Sequence, residues 1–127
     1  KRKKMKKILL TSLFIMIPTF AMADDYRSCK KLEKTEKRYL PEVVDNILTI
    51  NSFKCSMNDG RVVGNYIHYA DASIYTKKMI RDGWKRTLNV VCSYGKKNIR
   101  NFDMKYSYYS KKGSYIGSNY YTANDCK

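Results

Sequence analysis

Residues 47–69 read ILTINSFKCSMNDGRVVGNYIHY, and this stretch decides the fold class. From Ile47 to Cys55 the side chains divide into two alternating sets, as in a β-strand with two different faces. Asn58-Asp59-Gly60 supplies turn residues, and Arg61 to Tyr69 is again rich in Val, Ile and Tyr. The stretch therefore predicts a β-hairpin.

The last third of the chain shows a second alternating pattern. From Phe102 to Tyr109, tyrosine and methionine alternate with polar residues. A turn at residues 111–114, Lys-Lys-Gly-Ser, leads into Tyr115 to Thr122, and the chain ends at residues 125–127, Asp-Cys-Lys. We expect a second β-hairpin here.

Before each predicted hairpin, apolar residues recur with the spacing of an α-helix. The first predicted helix runs from Tyr26 to Leu40, with Ser28 available as an N-cap and Pro41 preventing continuation.

The second predicted helix has the clearest period. An apolar stripe recurs at every fourth residue, at Ile80, Trp84, Leu88 and Cys92. Thr76 can cap its start, and Gly95 is placed where a left-handed residue would end it. Gly83, in the middle, costs about 1 kcal/mol relative to alanine and does not reverse the prediction.

The order helix, hairpin, helix, hairpin predicts an α+β domain. We expect two helices with two β-hairpins forming a four-stranded antiparallel sheet, with the Trp84 helix packed on one face and disulfides stapling the fold. Residues 24–127 are expected to form a single domain.

The N-terminus is typical of a secretory signal peptide. A basic start is followed by the apolar run Ile8–Ile17 and by the small-residue site Ala21-Met22-Ala23, after which we expect cleavage. The apolar run is too short to span a membrane. Met5 followed by two lysines would be enough to begin a signal peptide. We therefore expect residues 1–4 to lie upstream of the native first residue. Removal of residues 1–23 would lower the formal charge from +15 to +9, leaving 20 basic and 11 acidic residues.

Four cysteines in a short exported domain argue for disulfides. They are Cys29, Cys55, Cys92 and Cys126, and their wide spacing does not fit a zinc site. Three pairings are possible, and we prefer Cys29 with Cys55 and Cys92 with Cys126 because these are neighbours in sequence in a layout of two halves.

Several of these features together resemble small exported bacterial proteins of unassigned function. The shared features are a Leu-Pro-x-x-Val-Asp segment (Leu40 to Asp45), Thr49, Cys55, Cys92 near a helix end, and a Tyr-x-Tyr hairpin (Tyr106 to Ile116) that leads to Asp125-Cys126. The resemblance implies export, an α+β fold and a terminal disulfide, and it implies no activity.

Residues for catalysis are few. His68 is the only histidine, no Gly-x-Ser-x-Gly motif occurs, and the carboxylates are thinly spread. The sequence therefore predicts no catalytic residues, no metal site and no cofactor. A small hydrolase using His68 or a pair of carboxylates is kept as an alternative.

Basic residues are concentrated after the first hairpin. Eight of them fall within 24 residues, interrupted by one aspartate: Lys77, Lys78, Arg81, Lys85, Arg86, Lys96, Lys97 and Arg100. A helix with an apolar stripe inside and this face outside would present a positive surface. Charges that serve only solubility would give the same pattern.

Tyrosine is the second unusual feature, with 12 residues in the chain. Alternation assigns Tyr109, Tyr115 and Tyr121 to one sheet face, where their rings could contact a protein or glycan. The alternative is that these tyrosines serve as strand formers and pair across hairpins.

We therefore predict a non-enzymatic, periplasmic or secreted binding domain that uses the basic helix face and the aromatic hairpin. Its expected partner is an acidic envelope or extracellular protein, an anionic lipid or a glycan. No element for reading a specific nucleic acid is recognisable. The alternatives are an inhibitor or immunity protein against an exported toxin or hydrolase, a small hydrolase, and a structural envelope component.

Overall fold

The computed structural model describes residues 23–127, and within them it shows four α-helices, five β-strands and one short 3-10 helix. The helices are α1 (residues 23–36), α2 (Lys77–Asp82), α3 (Trp84–Tyr94) and α4 (Lys96–Ile99), and the 3-10 helix is Ala123–Cys126. The strands are β1 (Glu42–Asp45), β2 (Leu48–Asn58), β3 (Arg61–Ala70), β4 (Asp103–Ser110) and β5 (Tyr115–Tyr121). The predicted signal peptide lies outside the described residues, apart from Ala23.

The five strands form one sheet in the order β1-β2-β3-β4-β5. Both predicted hairpins are present, and Asp59 (φ 51°) with Gly60 (φ 76°) makes the tight turn of the first. The α+β class is confirmed, but the sheet is five-stranded and mixed rather than four-stranded and antiparallel. The short strand β1 was not predicted, and β3 pairs with β4 in parallel, with Tyr66 opposite Tyr106.

The parallel pairing follows from the helices between the two hairpins. After β3 ends at Ala70, helices α2, α3 and α4 return the chain to the end of the sheet where β3 began. A connection that crosses over in this way joins parallel strands, whereas the prediction assumed antiparallel neighbours throughout.

The predicted second helix is divided at Gly83 into α2 and α3. Thr76 caps α2 as predicted, because its Oγ1 accepts a hydrogen bond from the Met79 N–H (3.2 Å). Gly83 (φ −82°, ψ 0°) ends α2, and Gly95 has φ −97° and not the left-handed conformation expected. The prediction of one continuous helix is therefore wrong at Gly83, and the break coincides with the low helix propensity of glycine.

The first helix also differs from its prediction. It is already helical at residue 23, so Ser28 is an interior residue and not the N-cap, and a turn over residues 37–39 replaces its last predicted turn.

All four described helices pack on one side of the sheet, called here the helix face, which carries Tyr66, His68, Tyr106, Tyr108 and Tyr121. The core lies between these layers and contains Cys29, Phe53, Val62, Val91, Ile99, Phe102, Met104 and Tyr121. At Gly64 the backbone of β3 packs directly against the ring of Phe53. A Cβ at this position would lie 2.5 Å from Cζ of Phe53, so only glycine fits without a shift of the ring. The other side of the sheet, called the open face, carries Tyr69, Asp103, Ser107, Tyr109 and Ser118.

Two disulfides hold helices to this framework. Cys29 in α1 is bonded to Cys55 in β2, and Cys92 in α3 is bonded to Cys126 in the 3-10 helix. These are the pairs preferred from the sequence, and all four cysteines are used.

Candidate binding site

All eight basic residues of the predicted surface are exposed. They form two groups, one on α2 and the start of α3, and a second on α4 made of Lys96, Lys97 and Arg100. From Arg86 to the end of α3 at Tyr94 the helix rises about 12 Å at 1.5 Å per residue, and Lys96 begins α4 only after Gly95. The basic surface is therefore divided. Arg100 of the second group lines a cavity of about 270 Å³, whereas Lys78 and Arg86 of the first group line a larger cavity beside Tyr75 and Tyr108.

The larger cavity, called here the α2–α3 groove, has a volume of about 470 Å³. It is lined by residues of α2, α3, β4, β5 and the loop before α2: Tyr75, Thr76, Lys78, Met79, Ile80, Asp82, Gly83, Arg86, Thr87, Tyr108 and Asn119. A break at Gly83 lets α2 and α3 line the same groove.

Aromatic rings and buried polar bonds build the sheet side of the groove. Tyr75 stacks on Tyr108 with ring centroids 5.7 Å apart. Asn119 lies beside them, and its Nδ2 donates to the Ile80 carbonyl (2.9 Å), which holds α2 against β5. Burial raises the pKa of Tyr108 well above its usual range, so the ring stays uncharged at neutral pH. The groove thus combines a neutral aromatic wall with polar edges.

Cations stand on the helix side of the groove. Lys78 and Arg86 are exposed, and neither forms a salt bridge with a described residue. Asp82 is the one acidic lining residue, and it lies 3.9 Å from the Arg81 guanidinium. Met79 adds an exposed apolar surface. This arrangement suits an apolar side chain flanked by carboxylates.

The three tyrosines predicted to share one face do not do so. Tyr109 and Tyr115 contact each other on the open face (5.5 Å between centroids), and Tyr69, which was not among the predicted contact residues, extends the row (6.3 Å from Tyr109). Tyr121 is on the helix face with 0% exposure, stacked on Trp84 at 5.2 Å. The assignment of Tyr121 as a contact residue is therefore wrong.

The register across the second turn explains this difference. Tyr106 pairs with Asn119 and Met104 with Tyr121, so odd-numbered residues of β5 share a face with even-numbered residues of β4. An irregularity between Tyr108 and Tyr109 then pairs Tyr109 with Tyr115, which brings Tyr115 to the open face. The basic helices and the aromatic hairpin consequently lie on opposite faces of the sheet and form separate surfaces.

His68 is buried on the helix face, where it lines a cavity of about 310 Å³ with Glu36 and Glu42. It is 4% exposed, it stacks on Tyr108 (4.5 Å), and its Nδ1–H donates to the Ser107 carbonyl (3.1 Å). Burial lowers its pKa, so the imidazole is neutral at physiological pH.

Two further features of the described part bear on function. Within residues 23–127 no group of three or more His, Cys, Asp or Glu side chains is placed to hold a metal ion. No helix in this range has the length and apolar character needed to cross a membrane.

Comparison with known proteins gives a fold likeness without a sequence match. No protein-family model and no curated protein sequence matches the chain. A candidate secreted protein of Pseudomonas aeruginosa has a similar structure, with a TM-score of 0.71 and 14% identity over 84% of this chain and 96% of its own.

Two pilotins are also similar in structure. The pilotin EpsS of the Vibrio vulnificus type 2 secretion system has a TM-score of 0.66 and 10% identity, covering 86% of this chain and 97% of its own. The type II secretion system pilotin AspS of Vibrio cholerae has a TM-score of 0.55 and 12% identity, covering 84% and 99%. At such identities the likeness shows a shared fold.

Proposed function

We propose that this chain is an exported, non-enzymatic binding domain whose α2–α3 groove takes an acidic segment of an envelope or extracellular protein. The observation that carries the proposal is the groove itself, where Lys78 and Arg86 stand over a pocket walled by Tyr75 and Tyr108.

The groove chemistry supports a peptide partner over a simple anion. An apolar side chain entering beside Met79 and Tyr108 would be removed from water, and this desolvation supplies affinity at about 25 cal/mol per Å². Flanking carboxylates would meet Lys78 and Arg86, which fixes orientation and speeds encounter. A free anion would use only the cations.

Export is supported by two observations of different kinds. Both disulfides are of the type that persists in oxidising compartments. The similar structures are described as a candidate secreted protein and as secretion-system pilotins. These names agree with a periplasmic or secreted location.

The aromatic row Tyr69, Tyr109 and Tyr115 is a separate part of the proposal. This row lies on the face of the sheet opposite the groove, so a peptide bound in the groove would leave the row exposed. Only a large partner, or a separate glycan, would contact the row.

The test compares two charge reversals of equal size. The oxidised protein is used to isolate a stoichiometric complex from its own envelope extract, and binding is then measured with Lys78→Glu/Arg86→Glu and with Lys96→Glu/Lys97→Glu. Because only the first pair lines the groove, we expect it to weaken the complex at least about tenfold, or about 1.4 kcal/mol, and the α4 pair to change binding by less than about threefold.

Equal losses in both variants would mean that net charge alone drives association and would remove the groove from the proposal. Polydisperse binding to anionic vesicles or to glycan, in place of a stoichiometric complex, would overturn the protein-partner assignment. Far-ultraviolet circular dichroism of both variants checks that the fold is retained.

A further inference from the structure

The outer edge of β2 is only partly covered by its neighbour β1. Strand β1 pairs with Leu48, Thr49 and Ile50, whereas β2 continues to Asn58. Among the described residues, no strand pairs with the outer side of β2 beyond Ile50. A strand edge of this kind presents unpaired N–H and C=O groups that can bind another extended segment.

The hydrogen bonds show which backbone groups face outward. The Cys55 N–H points away from β3, because it donates to the Glu33 carboxylate of α1 at 3.0 Å. In an antiparallel pair the outward groups recur at every second residue, so those of Phe53 and Met57 point the same way. A carboxylate already occupies one position that a partner's backbone carbonyl would take.

A groove lies beside this edge, between α1 and β2, with a volume of about 450 Å³. Leu40 and Phe53 give it an apolar part, and Lys30, Lys37 and Lys54 surround it with positive charge. Glu33 is its single carboxylate and is already bonded to Lys30 Nζ at 2.9 Å. Lys37 and Lys54 form no salt bridge with any residue in the described range.

We propose that this edge is a second binding site, where an extended acidic segment of a partner protein adds as a strand in line with β1. The segment would replace the Glu33 carboxylate at the Cys55 N–H, backbone hydrogen bonds to Phe53, Cys55 and Met57 would hold it, and its carboxylates would meet Lys37 and Lys54. A second copy of this chain does not fit, because pairing two β2 edges would bring lysines together. The site does not depend on the α2–α3 groove, which lies at a different part of the molecule.

The test uses a defined probe, a blocked peptide of about six residues in which glutamate and valine alternate, the length of an ordinary strand. Amide hydrogen exchange of the oxidised protein is followed by NMR at increasing peptide concentration. We expect saturable binding that slows exchange of the Phe53 and Met57 amides at least about tenfold and leaves the β5 amides unchanged.

Three controls separate strand addition from simple charge attraction. The same peptide with alternate backbone amides N-methylated should lose the protection, because it cannot complete the ladder. A peptide with lysine in place of glutamate should bind weakly. Lys54→Glu should weaken binding of the acidic peptide about threefold to tenfold, whereas Lys112→Glu in the exposed turn before β5 should not.

Equal protection by the N-methylated peptide would overturn the proposal, and so would the absence of protection at Phe53 and Met57 when the peptide is saturating. Chemical-shift changes confined to residues 75–87 would assign the acidic peptide to the α2–α3 groove and equally remove the edge site.

Discussion

The two faces of the sheet are stabilised in different ways. On the helix face, rings form a continuous row from Phe53 through Tyr66 and Tyr106 to Tyr121, with neighbouring centroids 4.7 to 5.8 Å apart, and helices cover it. The open face relies on hydrogen bonds between neighbouring strands. There the Asp103 carboxylate accepts from the Arg61 guanidinium (2.6 and 2.8 Å) and from the Tyr120 hydroxyl (2.6 Å).

A second polar chain crosses the middle of the open face. The Tyr115 hydroxyl contacts Ser118 (2.7 Å), Ser118 donates to Ser107 (3.1 Å), and Ser107 donates to Asn65 (2.9 Å). Burial of apolar surface therefore stabilises one face, whereas the other uses directional bonds that need no covering layer.

The largest effect should come from the helix face. Tyr121→Ala removes a completely buried ring and the bond from its hydroxyl to the Trp84 carbonyl (2.9 Å), so we expect a loss of about 4 kcal/mol in the free energy of unfolding. Urea denaturation measures it. Tyr115→Ala on the open face, where the ring is 58% exposed, is the matched control and should cost less than about 1 kcal/mol. Similar losses in the two variants would contradict the contrast between the faces.

An intermediate effect is expected from the bonds of the open face. Asp103→Asn keeps the shape but removes the charge that Arg61 and Tyr120 bind, and since Arg61 is exposed we expect a loss of about 2 kcal/mol. Burial opposes ionisation of Asp103, yet its bonds hold its pKa below 3.8.

The pH dependence of Asp103 checks this explanation. Its contribution should be complete above pH 3.8, the ordinary pKa, and lost as the pH falls through the lower pKa of the folded state. Comparing urea midpoints of the wild type and Asp103→Asn at neutral and acid pH measures the effect. A constant difference between them at every pH would show that charge is not involved.

The smallest effect on the free energy of unfolding should come from His68, which is shielded from water on the helix face. Because burial lowers the pKa of His68 below 6.5, the unfolded chain binds a proton first as the pH falls. Stability should therefore be full above pH 6.5 and decline below it, by at most about 1.4 kcal/mol per pH unit. His68→Gln should remove this slope in thermal unfolding followed between pH 7 and pH 5. A slope that persists would assign it to other groups.

The strands could be predicted because their signals are local. Alternation and the Asp59-Gly60 turn locate the hairpins within a few residues. The parallel contact between β3 and β4 depends on where three intervening helices return the chain, which no local pattern encodes. Strand β1, with Val43 and Val44 side by side and both exposed, has no alternation to reveal it.

The candidate sites were less predictable than the fold. The exposure of the basic residues could be predicted from the sequence, but the groove beside Lys78 and Arg86 could not, because it forms where the break at Gly83 lets α2 and α3 line the same cavity. The face of Tyr121 depends on the register across the turn and on the irregularity near Tyr109, neither of which has a sequence signal here. The free edge of β2 depends on the shortness of β1.

The two disulfides close loops that do not overlap along the chain. One disulfide closes the loop of residues 29–55 and the other closes the loop of residues 92–126. The parallel pairing of β3 with β4 joins the two halves of the domain that these disulfides crosslink. Each crosslink can therefore be made from its own half alone. A chain that emerges from its N-terminus can seal the first loop before the second cysteine pair has appeared, so the order of emergence already favours correct pairing.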